Sequence, residues 1–169
     1  MMRWRGAMLD ISRHYFDAAF IKKTVSSLAL FDYNTLHLHL TDDQGWRLES
    51  KVFPLLHEVG SIRKQSQNNH GLLEPTYDGK EHSGYLTHDD VREIVSHAHS
   101  LGMQVVPEIN IPGHTGALLA AYPQYGINQA AVEVSGRWGI SDYLLRPFPE
   151  TFEFLHKVFK EVATLFPSE

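Results

Sequence analysis

The 169-residue sequence contains no cysteine, which excludes disulfide bonds, thiolate nucleophiles and metal centres built on sulfur. No apolar run is long enough to span a membrane, and no signal peptide is recognisable, so the cellular compartment stays open. No lysine- or arginine-rich segment offsets the formal net charge of −5, so we expect neither nucleic acid nor a membrane as the partner. The sequence is 43% hydrophobic and 21% charged, which is typical of one folded domain or a piece of a larger one.

Three short apolar segments are predicted to form buried β-strands, and a segment with helical spacing follows each of them. The strands are expected over residues 6–11, 35–40 and 103–109. The helices are expected over residues 18–31, 53–60, 87–102 and 115–121, with a last helix that is capped by Thr151 and runs to about residue 166. This β-α-β-α-β-α order with apolar strands is typical of a parallel sheet covered by helices, which is an α/β fold.

Polar residues follow each predicted strand directly, at 12–14, at 42–43 and at 110–114. Because the carboxyl ends of parallel strands lie at one edge of a sheet, we expect these three clusters to face one another. One such cluster would be weak evidence of function. Three clusters at equivalent strand ends predict a binding or catalytic site for a polar ligand.

Arg13 belongs to the first of these clusters. Its planar guanidinium has the donor geometry to bind two vicinal hydroxyls or a carboxylate. The alternative is a structural salt bridge to Asp10 or Asp17, and from this residue alone we favour the salt bridge.

The second cluster contains the adjacent carboxylates Asp42 and Asp43, which fit an acid/base pair, a metal-ligand pair or a helix cap. Since neighbouring residues on a strand point in opposite directions, we expect one of them to face the site and the other to point inward. His37 and His39 precede them on one face of the strand. They fit either a metal-binding pair or core histidines satisfied by their neighbours, and we favour the core interpretation.

The third cluster places an acid, an amide and a histidine around one strand end, namely Glu108, Asn110 and His114. The alternative interpretation is a capped turn. The nearby glycines Gly113 and Gly116 do not form a phosphate-binding loop, because no lysine followed by serine or threonine comes after them.

Four segments that contain these clusters occur in series: RGAMLDISRHY at 5–15, LHLHLTDDQGWR at 36–47, GYLT at 84–87 and PEINIPGH at 107–114. Together they resemble the family 20 glycoside hydrolases, the β-N-acetylhexosaminidases. The resemblance covers nearly the whole chain, and four motifs in the family's order are highly specific.

The resemblance implies a (β/α)8 barrel, of which this chain would be about the first three β/α units. Residues 1–169 would then be a truncated catalytic domain. The family's fourth strand carries its catalytic aspartate–glutamate pair, and this pair is expected to lie beyond Glu169. The resemblance therefore assigns no catalytic residue to the chain itself.

The family removes terminal non-reducing β-linked N-acetylglucosamine or N-acetylgalactosamine with retention, and the substrate's own acetamido oxygen is the nucleophile. The resemblance thus implies an amino-sugar glycoconjugate as partner, no cofactor and no metal. It also implies that the isolated chain is inactive, because it lacks the general acid.

By motif match, Arg13 resembles the arginine that binds ring hydroxyls of the terminal sugar. Asp42 and His114 resemble the pair that supports the catalytic acid, by holding its rotamer and shifting its pKa. The residues expected around these three are His39, Glu108 and Asn110.

Two of these surrounding residues carry further expectations. His39 matches a histidine of the family motif and is expected to be structural. Asn110 stands where many relatives have aspartate, so a role that needs a negative charge is not expected there.

An incomplete barrel would also leave the edge of the third strand unpaired and apolar residues without partners, so we expect low stability or self-association. Those apolar residues are Leu9, Leu38, Val105 and Val106.

Two other functions are compatible with the sequence. The chain could be a non-catalytic carbohydrate-binding module, with stacking faces from Trp46, Tyr85, Trp138 and Tyr143. It could also be a metal-dependent barrel hydrolase, since zinc needs three or more protein ligands. The ligands in that case would be His37, His39, Asp42 and His114.

Overall fold

The computed structural model describes residues 2–69, 74–130 and 132–167. It contains four strands: β1 (Gly6–Asp10), β2 (Thr35–Asp42), β3 (Gly45–Trp46) and β4 (Gln104–Ile109). The α-helices are α1 (Ala18–Leu30), α2 (Leu55–Glu58), α3 (His88–Ser100), α4 (Gly116–Ala121) and α5 (Pro149–Leu165). A short 3-10 helix covers Pro123–Tyr125. None of the helices in the described ranges has the length and apolar character needed to cross a bilayer.

The sheet is built around β2, which pairs in parallel with β1 on one side and with β4 on the other. Thr35 marks the register, because it lies opposite Gly6 of β1 and opposite Gln104 of β4. The two-residue β3 folds back antiparallel onto the end of β2. The predicted α/β fold with a parallel sheet is therefore present, as an open sheet of four strands in the described part of the chain.

The core lies on the face of β2 that carries leucines. Leu36, Leu38 and Leu40 are fully buried in the same apolar cluster as residues of α1 and α3. Alternation along the strand places His37 and His39 on the opposite face. One face of the sheet is thus covered by helices, while the other carries polar side chains toward the candidate site.

The strand edges correct one expectation. Leu38, which we expected to lack partners, is fully buried, because β2 has a neighbour on each side. Leu9 and Val105 are half-buried and pack against the core, and Val106 is also half-buried. Within the described residues, the outer edges of β1 and β4 pair with no further strand.

The last helix begins earlier than predicted. Helix α5 starts at Pro149, where the missing N–H of proline costs nothing, and its N-cap position is Phe148 rather than Thr151. Thr151 instead lies in the first turn, where its buried hydroxyl has no hydrogen-bond partner in the described part of the chain. The expectation of a Thr151 cap was wrong because the proline is the stronger signal for a helix start.

Arg47 holds together the turns that surround the candidate site. Its guanidinium is fully buried and donates to the carbonyl oxygens of Ser12 at 3.0 Å, Ser61 at 2.6 Å and Gly84 at 3.0 Å. Burial lowers its pKa to about 9. Removal of these bonds would leave buried carbonyl groups of three segments without a donor, so Arg47 fixes the backbone on which the site is built.

Candidate active site

The three polar clusters meet at one edge of the sheet, as the parallel order of the strands predicts. Arg13 follows β1, Asp42 is the last residue of β2, and Asn110 follows β4. The carboxylate of Asp42 is the common partner, since it contacts Arg13 at 2.6 Å and Asn110 at 2.9 Å. Residues far apart in the sequence are thereby brought together.

Arg13 makes the structural salt bridge to Asp10 that we favoured from the sequence, and its binding of a ligand stays a prediction. Its Nη1 donates to Asp10 at 2.8 Å, which is the structural salt bridge, while its Nη2 donates to Asp42 at 2.6 Å. Its Nε donates to Gln44 at 2.9 Å. Asp17, the other proposed salt-bridge partner, instead caps α1 through the N–H of Phe20. Nη2 has only Asp42 as a partner among the described residues, which leaves its second N–H free for a ligand.

Asp42 is buried, with only 1% of its surface exposed, and donors surround its carboxylate. Burial alone would raise the pKa of this group, but the hydrogen bonds and the charge of Arg13 outweigh burial and hold the pKa below its ordinary value. Asp42 is therefore ionised at neutral pH. The donors are Nε2 of His39 at 3.0 Å, the N–H of Asp43 at 2.8 Å, Nδ2 of Asn110 at 2.9 Å, Nη2 of Arg13 at 2.6 Å and Nδ1 of His114 at 3.1 Å.

His39 and His37 are both bonded to Glu108, but His39 is buried whereas 42% of the His37 side chain is exposed. Nδ1 of His39 is 2.8 Å from Glu108, and Nε2 of His37 is 2.6 Å from the same oxygen. Burial would lower the pKa of His39, but its bonds to Asp42 and Glu108 outweigh burial and raise it. Burial would raise the pKa of Glu108, yet the two histidines lower it. The interpretation of core histidines satisfied by their neighbours therefore holds for His39, whereas His37 is hydrogen-bonded but not in the core.

Asp43 was a candidate only as part of the adjacent carboxylate pair, and the resemblance assigned it no role in the site. Its Oδ1 accepts from the N–H of Gly116 at 2.8 Å, and its Oδ2 accepts from Ser141 at 2.9 Å and contacts His114 at 3.2 Å. Both Asp42 and Asp43 therefore reach His114, and the expectation that they point apart was wrong. The strand ends at Asp42, so the alternation of side chains no longer applies to Asp43 in the following turn.

The orientation of the His114 ring follows from these two contacts. Both partners of Nδ1 are carboxylate oxygens, which only accept, so Nδ1 carries a hydrogen. Nε2 has no partner among the described residues, and about a third of the side chain is exposed. The ring is thus oriented by Asp42 and Asp43, while its second nitrogen is available to another group.

The catalytic acid stays a prediction, as do the roles predicted for Arg13, Asp42 and His114. The sequence reasoning places the glutamic acid and the orienting aspartate beyond Glu169, and Glu169 itself lies outside the described residues, which end at position 167. The described residues supply Arg13 and the supporting pair Asp42 and His114. The structure brings these three side chains together at one edge of the sheet.

The four proposed zinc ligands do not form one cluster. Ligand atoms of Asp42, Asp43 and His114 do lie within 4.8 Å of one another. His37 and His39 are outside this group in the described part of the chain, because Glu108 binds both. The two histidines that the metal-dependent hydrolase would need as ligands are therefore not part of the cluster.

The aromatic residues proposed for stacking differ in their exposure. Trp46 is buried, and its Nε1 donates to the carbonyl of Leu48, so its ring is not available to a ligand. Tyr85 is 36% exposed, and Tyr143 is half-buried and packs against the core. Trp138 has 51% of its surface exposed and lines a cavity of about 380 Å³ that Arg13 and Gln44 also line.

Comparison with known proteins defines the class of this fold and site. The profile described as "Glycosyl hydrolase family 20, catalytic domain" matches residues 2–169. A β-hexosaminidase of Vibrio furnissii is 38% identical over 98% of this chain and 27% of its own length. A β-hexosaminidase of Akkermansia muciniphila is 40% identical over 98% of this chain and 32% of its own length.

Solved structures give the same result. The crystal structure of a β-N-acetylhexosaminidase superposes with a TM-score of 0.89 at 40% identity, and covers 98% of this chain and 34% of that chain. A mutant Streptomyces plicatus β-hexosaminidase in complex with the product GlcNAc has a TM-score of 0.84 at 35% identity, with coverages of 98% and 31%. The chain is thus of the glycosidase class. Within that class it belongs to glycosyl hydrolase family 20, as its motifs predicted, and it spans about a third or less of these relatives.

Proposed function

We propose that this chain supplies the first three β/α units of the (β/α)8 catalytic barrel of a β-N-acetylhexosaminidase. The enzyme removes terminal non-reducing β-linked N-acetylglucosamine or N-acetylgalactosamine. The parallel order β1-β2-β4 with helices between the strands supports this assignment, as does the family match over residues 2–169. The coverage of about a third of a solved relative agrees with three units of eight.

One observation carries the proposal: the buried carboxylate of Asp42 binds Arg13 at 2.6 Å and His114 at 3.1 Å. Arg13 is thereby held with one free N–H at Nη2, which donates to a ring hydroxyl of the terminal sugar. His114 is held with Nε2 free, which bonds the general acid. The two residues then act on opposite ends of the same sugar, its hydroxyls and its glycosidic oxygen.

The mechanism assigns the chemistry to groups beyond Glu169 and to the substrate. A glutamic acid protonates the leaving glycosidic oxygen while the 2-acetamido oxygen attacks the anomeric carbon, and an aspartate orients the acetamido group. Water then opens the oxazolinium ring and restores the β-configuration. Asp42 and His114 hold the glutamic acid in one rotamer and set its pKa, so they are positioning residues in this scheme.

The test is hydrolysis of 4-methylumbelliferyl N-acetyl-β-glucosaminide and of N,N′-diacetylchitobiose by the native protein that carries this chain. We expect turnover, and we expect proton NMR to detect the β-anomer of N-acetylglucosamine as the first product. The matched substrate control is the corresponding β-glucoside, whose 2-hydroxyl replaces the acetamido group and which we expect to be inert. A native protein that hydrolyses neither amino-sugar substrate overturns the proposal.

Residues 1–169 alone provide a second test, because the proposed acid lies outside them. Loss of a positioned acid costs roughly 10²–10⁴-fold in rate, so we expect no measurable hydrolysis. The outer edges of β1 and β4 are unpaired in the described residues, so we expect this chain alone to self-associate in sedimentation experiments. An active, monomeric sample of the 169-residue chain would contradict the placement of the acid and of the further strands.

A further inference from the structure

Two buried arginines lie near the candidate site without a negatively charged partner. Arg47 is fully buried and Arg63 is 5% exposed, yet neither forms a salt bridge with a carboxylate in the described part of the chain. Burial lowers the pKa of Arg47 most, and the positive charge of Arg63 lowers it further, so the two charges are near enough to repel each other. Because a buried charge without a counter-charge is costly, a negative group beside Arg63 would stabilise both.

The two arginines differ in how their donors are used. All three nitrogen atoms of the Arg47 guanidinium donate to backbone carbonyl oxygens, so its role is structural. Arg63 donates from Nε to Ser66 at 2.9 Å and from Nη1 to the carbonyl of Gln44 at 3.1 Å. Its Nη2 has no partner among the described residues. Arg63 therefore keeps a charged donor that these contacts leave unused.

Arg63 lines the cavity of about 380 Å³ that Arg13 and Gln44 also line. This volume lies in the range of small-molecule sites. Gln44 connects the two guanidinium groups, because its side-chain oxygen accepts from Nε of Arg13 at 2.9 Å and its backbone carbonyl accepts from Arg63. The unused donor is thus available to a ligand in the cavity, next to the arginine that we propose binds the terminal sugar.

His82 provides a second donor in the same cavity. It pairs with Arg63 through two backbone hydrogen bonds of 3.0 Å each, and this antiparallel pairing places the two side chains on one face. Burial, together with the charges of Arg63 and Arg47, lowers the pKa of His82 to about 4, so the ring is neutral at neutral pH. Its Nε2 accepts from the N–H of Tyr15 at 2.9 Å. Nδ1 therefore carries the ring hydrogen, and it has no partner in the described ranges.

The carboxylates that line this cavity do not neutralise Arg63. They are Asp78 and Glu81, and both are exposed, so water screens their charge. Asp78 already accepts from the N–H groups of Ser66 at 2.8 Å and Lys80 at 3.0 Å, and Lys80 itself lines the cavity. The cavity therefore offers a buried positive charge and unused N–H donors, which together favour a ligand rich in negatively charged acceptors.

We infer that Arg63 and His82 form a binding site for a tetrahedral oxyanion, which is a sulfate or phosphate group. Such a group has only acceptor oxygens toward the protein and carries the negative charge that the buried guanidinium lacks. Two sources supply it: a free inorganic ion, or an ester on a ring hydroxyl of the terminal amino sugar at Arg13. The ester source rests on the proposed function, whereas the binding of a free ion does not.

The first experiment titrates the native protein that carries this chain with sodium sulfate and with sodium phosphate in a calorimeter, at constant ionic strength. We expect saturable binding with a Kd of about 1 mM or below. Arg63→Gln removes the buried charge and should weaken this binding at least about tenfold. Arg92→Gln is the matched control, because it removes an exposed charge on α3 that is paired with Asp89, and it should leave the Kd unchanged.

The second experiment compares an aryl N-acetyl-β-glucosaminide with its 3-, 4- and 6-O-sulfated forms as substrates of the native protein. If the oxyanion is an ester on the sugar, one sulfated form should be hydrolysed with a kcat/KM at or above that of the unsulfated substrate. Arg63→Gln should then lower kcat/KM for that form about 10- to 100-fold, and change it less than about twofold for the unsulfated substrate.

A pair of His82 variants keeps the test decisive if Arg63→Gln does not fold. Both His82→Gln and His82→Glu retain an oxygen that can accept from the N–H of Tyr15. Only glutamine also retains a donor, whereas glutamate places a negative charge in the cavity. We expect His82→Glu to weaken oxyanion binding at least about tenfold and His82→Gln to retain most of it. Equal binding by the two folded variants would overturn the inference.

The outcomes separate the two sources and the proposed function. Preference for a sulfated substrate that depends on Arg63 identifies the ester, while ion binding that depends on Arg63 without such a preference identifies a free ion. If neither ion binds saturably and no sulfated form is preferred, the inference is overturned, and turnover of the unsulfated substrate leaves the proposed function standing. A protein that hydrolyses no amino-sugar substrate but binds sulfate through Arg63 loses the proposed function and keeps the oxyanion site.

Discussion

The imidazole of His39 lies 3.0 Å from the carboxylate of Asp42, and its other ring nitrogen lies 2.8 Å from Glu108. One buried ring thus joins the end of β2 to the end of β4. Two carboxylates in contact with one imidazole stabilise its charged form, which is why the pKa of His39 is raised in spite of burial. The charged ring in turn helps to keep Asp42 ionised beneath Arg13.

His39→Gln tests this link. Glutamine has one donor group and one acceptor group, so it can satisfy only one of the two carboxylates. We expect the free energy of unfolding at pH 6 to fall by about 1.5–3 kcal/mol, the typical loss for a hydrogen bond to a charged group. His37→Gln is the matched control, because His37 contacts Glu108 alone and 42% of its side chain is exposed. Urea unfolding should show the smaller loss for His37→Gln, and equal losses would contradict the bridging role.

The pH dependence of this loss follows from the signs of the pKa shifts. The folded pKa of His39 lies above its ordinary value of 6.5, so its contribution is complete below pH 6.5 and disappears as the pH rises through the folded pKa. The folded pKa values of Asp42 and Glu108 lie below their ordinary values of 3.8 and 4.5. Their contributions are complete above those values and disappear as the pH falls.

The stability difference between the unmodified protein and His39→Gln should therefore be greatest between about pH 4.5 and 6.5. Urea midpoints measured from about pH 3 to 9 check this window. A difference that grows steadily toward the alkaline end would contradict it, because His39 would then stabilise the fold as a neutral ring.

Asn110→Asp tests the donor side of the same carboxylate. The amide of Asn110 donates to Asp42 at 2.9 Å, and an aspartate of the same shape would place a second negative charge there. We expect a loss of about 1–3 kcal/mol in unfolding free energy at pH 7. The loss should lessen toward pH 5, because the repulsion raises the pKa of the pair and one carboxyl takes up a proton.

Asn128→Asp is the control for Asn110→Asp, since it adds the same charge at an exposed position. It should change stability by less than about 0.5 kcal/mol at either pH. If Asn110→Asp proves equally neutral at pH 7, Asp42 does not depend on the amide donor.

The placement of Arg13, Asp42 and His114 could be predicted because each stands at the end of an apolar strand or a few residues after it. Parallel strands bring such residues to one edge, whatever their separation in the sequence. The role of Asp43 could not be predicted in this way. The direction of the Asp43 side chain depends on how the backbone turns from β2 into β3. Alternation along a strand gives no information about a turn.

The hydrogen bonds that hold the loop of residues 135–143 in place could not be predicted from the sequence either. Gln44 and Gln67 have no pattern that marks them as partners of Arg137 and Trp138, since the bonds join irregular segments. The structural salt bridge of Arg13 to Asp10, which we favoured from the sequence, is present, and the guanidinium has enough donors to contact Asp42 as well.

Arg13→Lys tests the substrate contact that we propose. A lysine amine cannot replace the three differently directed donors that reach Gln44, Asp10 and Asp42. We expect kcat/KM for an aryl N-acetyl-β-glucosaminide to fall about 10- to 100-fold in the native protein. Arg5→Lys is the control, since Arg5 bonds exposed groups at the amino end of the sheet and should leave kcat/KM unchanged. Similar effects of both substitutions would argue that Arg13 acts through stability alone.

The Asp42, Asp43 and His114 cluster gives the last prediction, because its ligand atoms lie close enough together for a metal ion. The oxygens of both carboxylates already accept hydrogen bonds, from the N–H groups of Asp43 and Gly116 among others, and Nδ1 of His114 carries a hydrogen. A cation would have to displace these donors and leave buried N–H groups unpaired, at a cost of about 1–3 kcal/mol each.

We therefore expect EDTA to leave both the hydrolysis rate and the melting temperature of the native protein unchanged, and elemental analysis to find zinc far below one atom per chain. Asp43→Asn serves as the companion variant. It removes a charge that a metal would need but keeps an oxygen that can accept from Gly116, so it should not alter the response to EDTA. Stoichiometric zinc whose removal abolishes activity would contradict this prediction, because it would show that the three side chains coordinate a cation rather than one another.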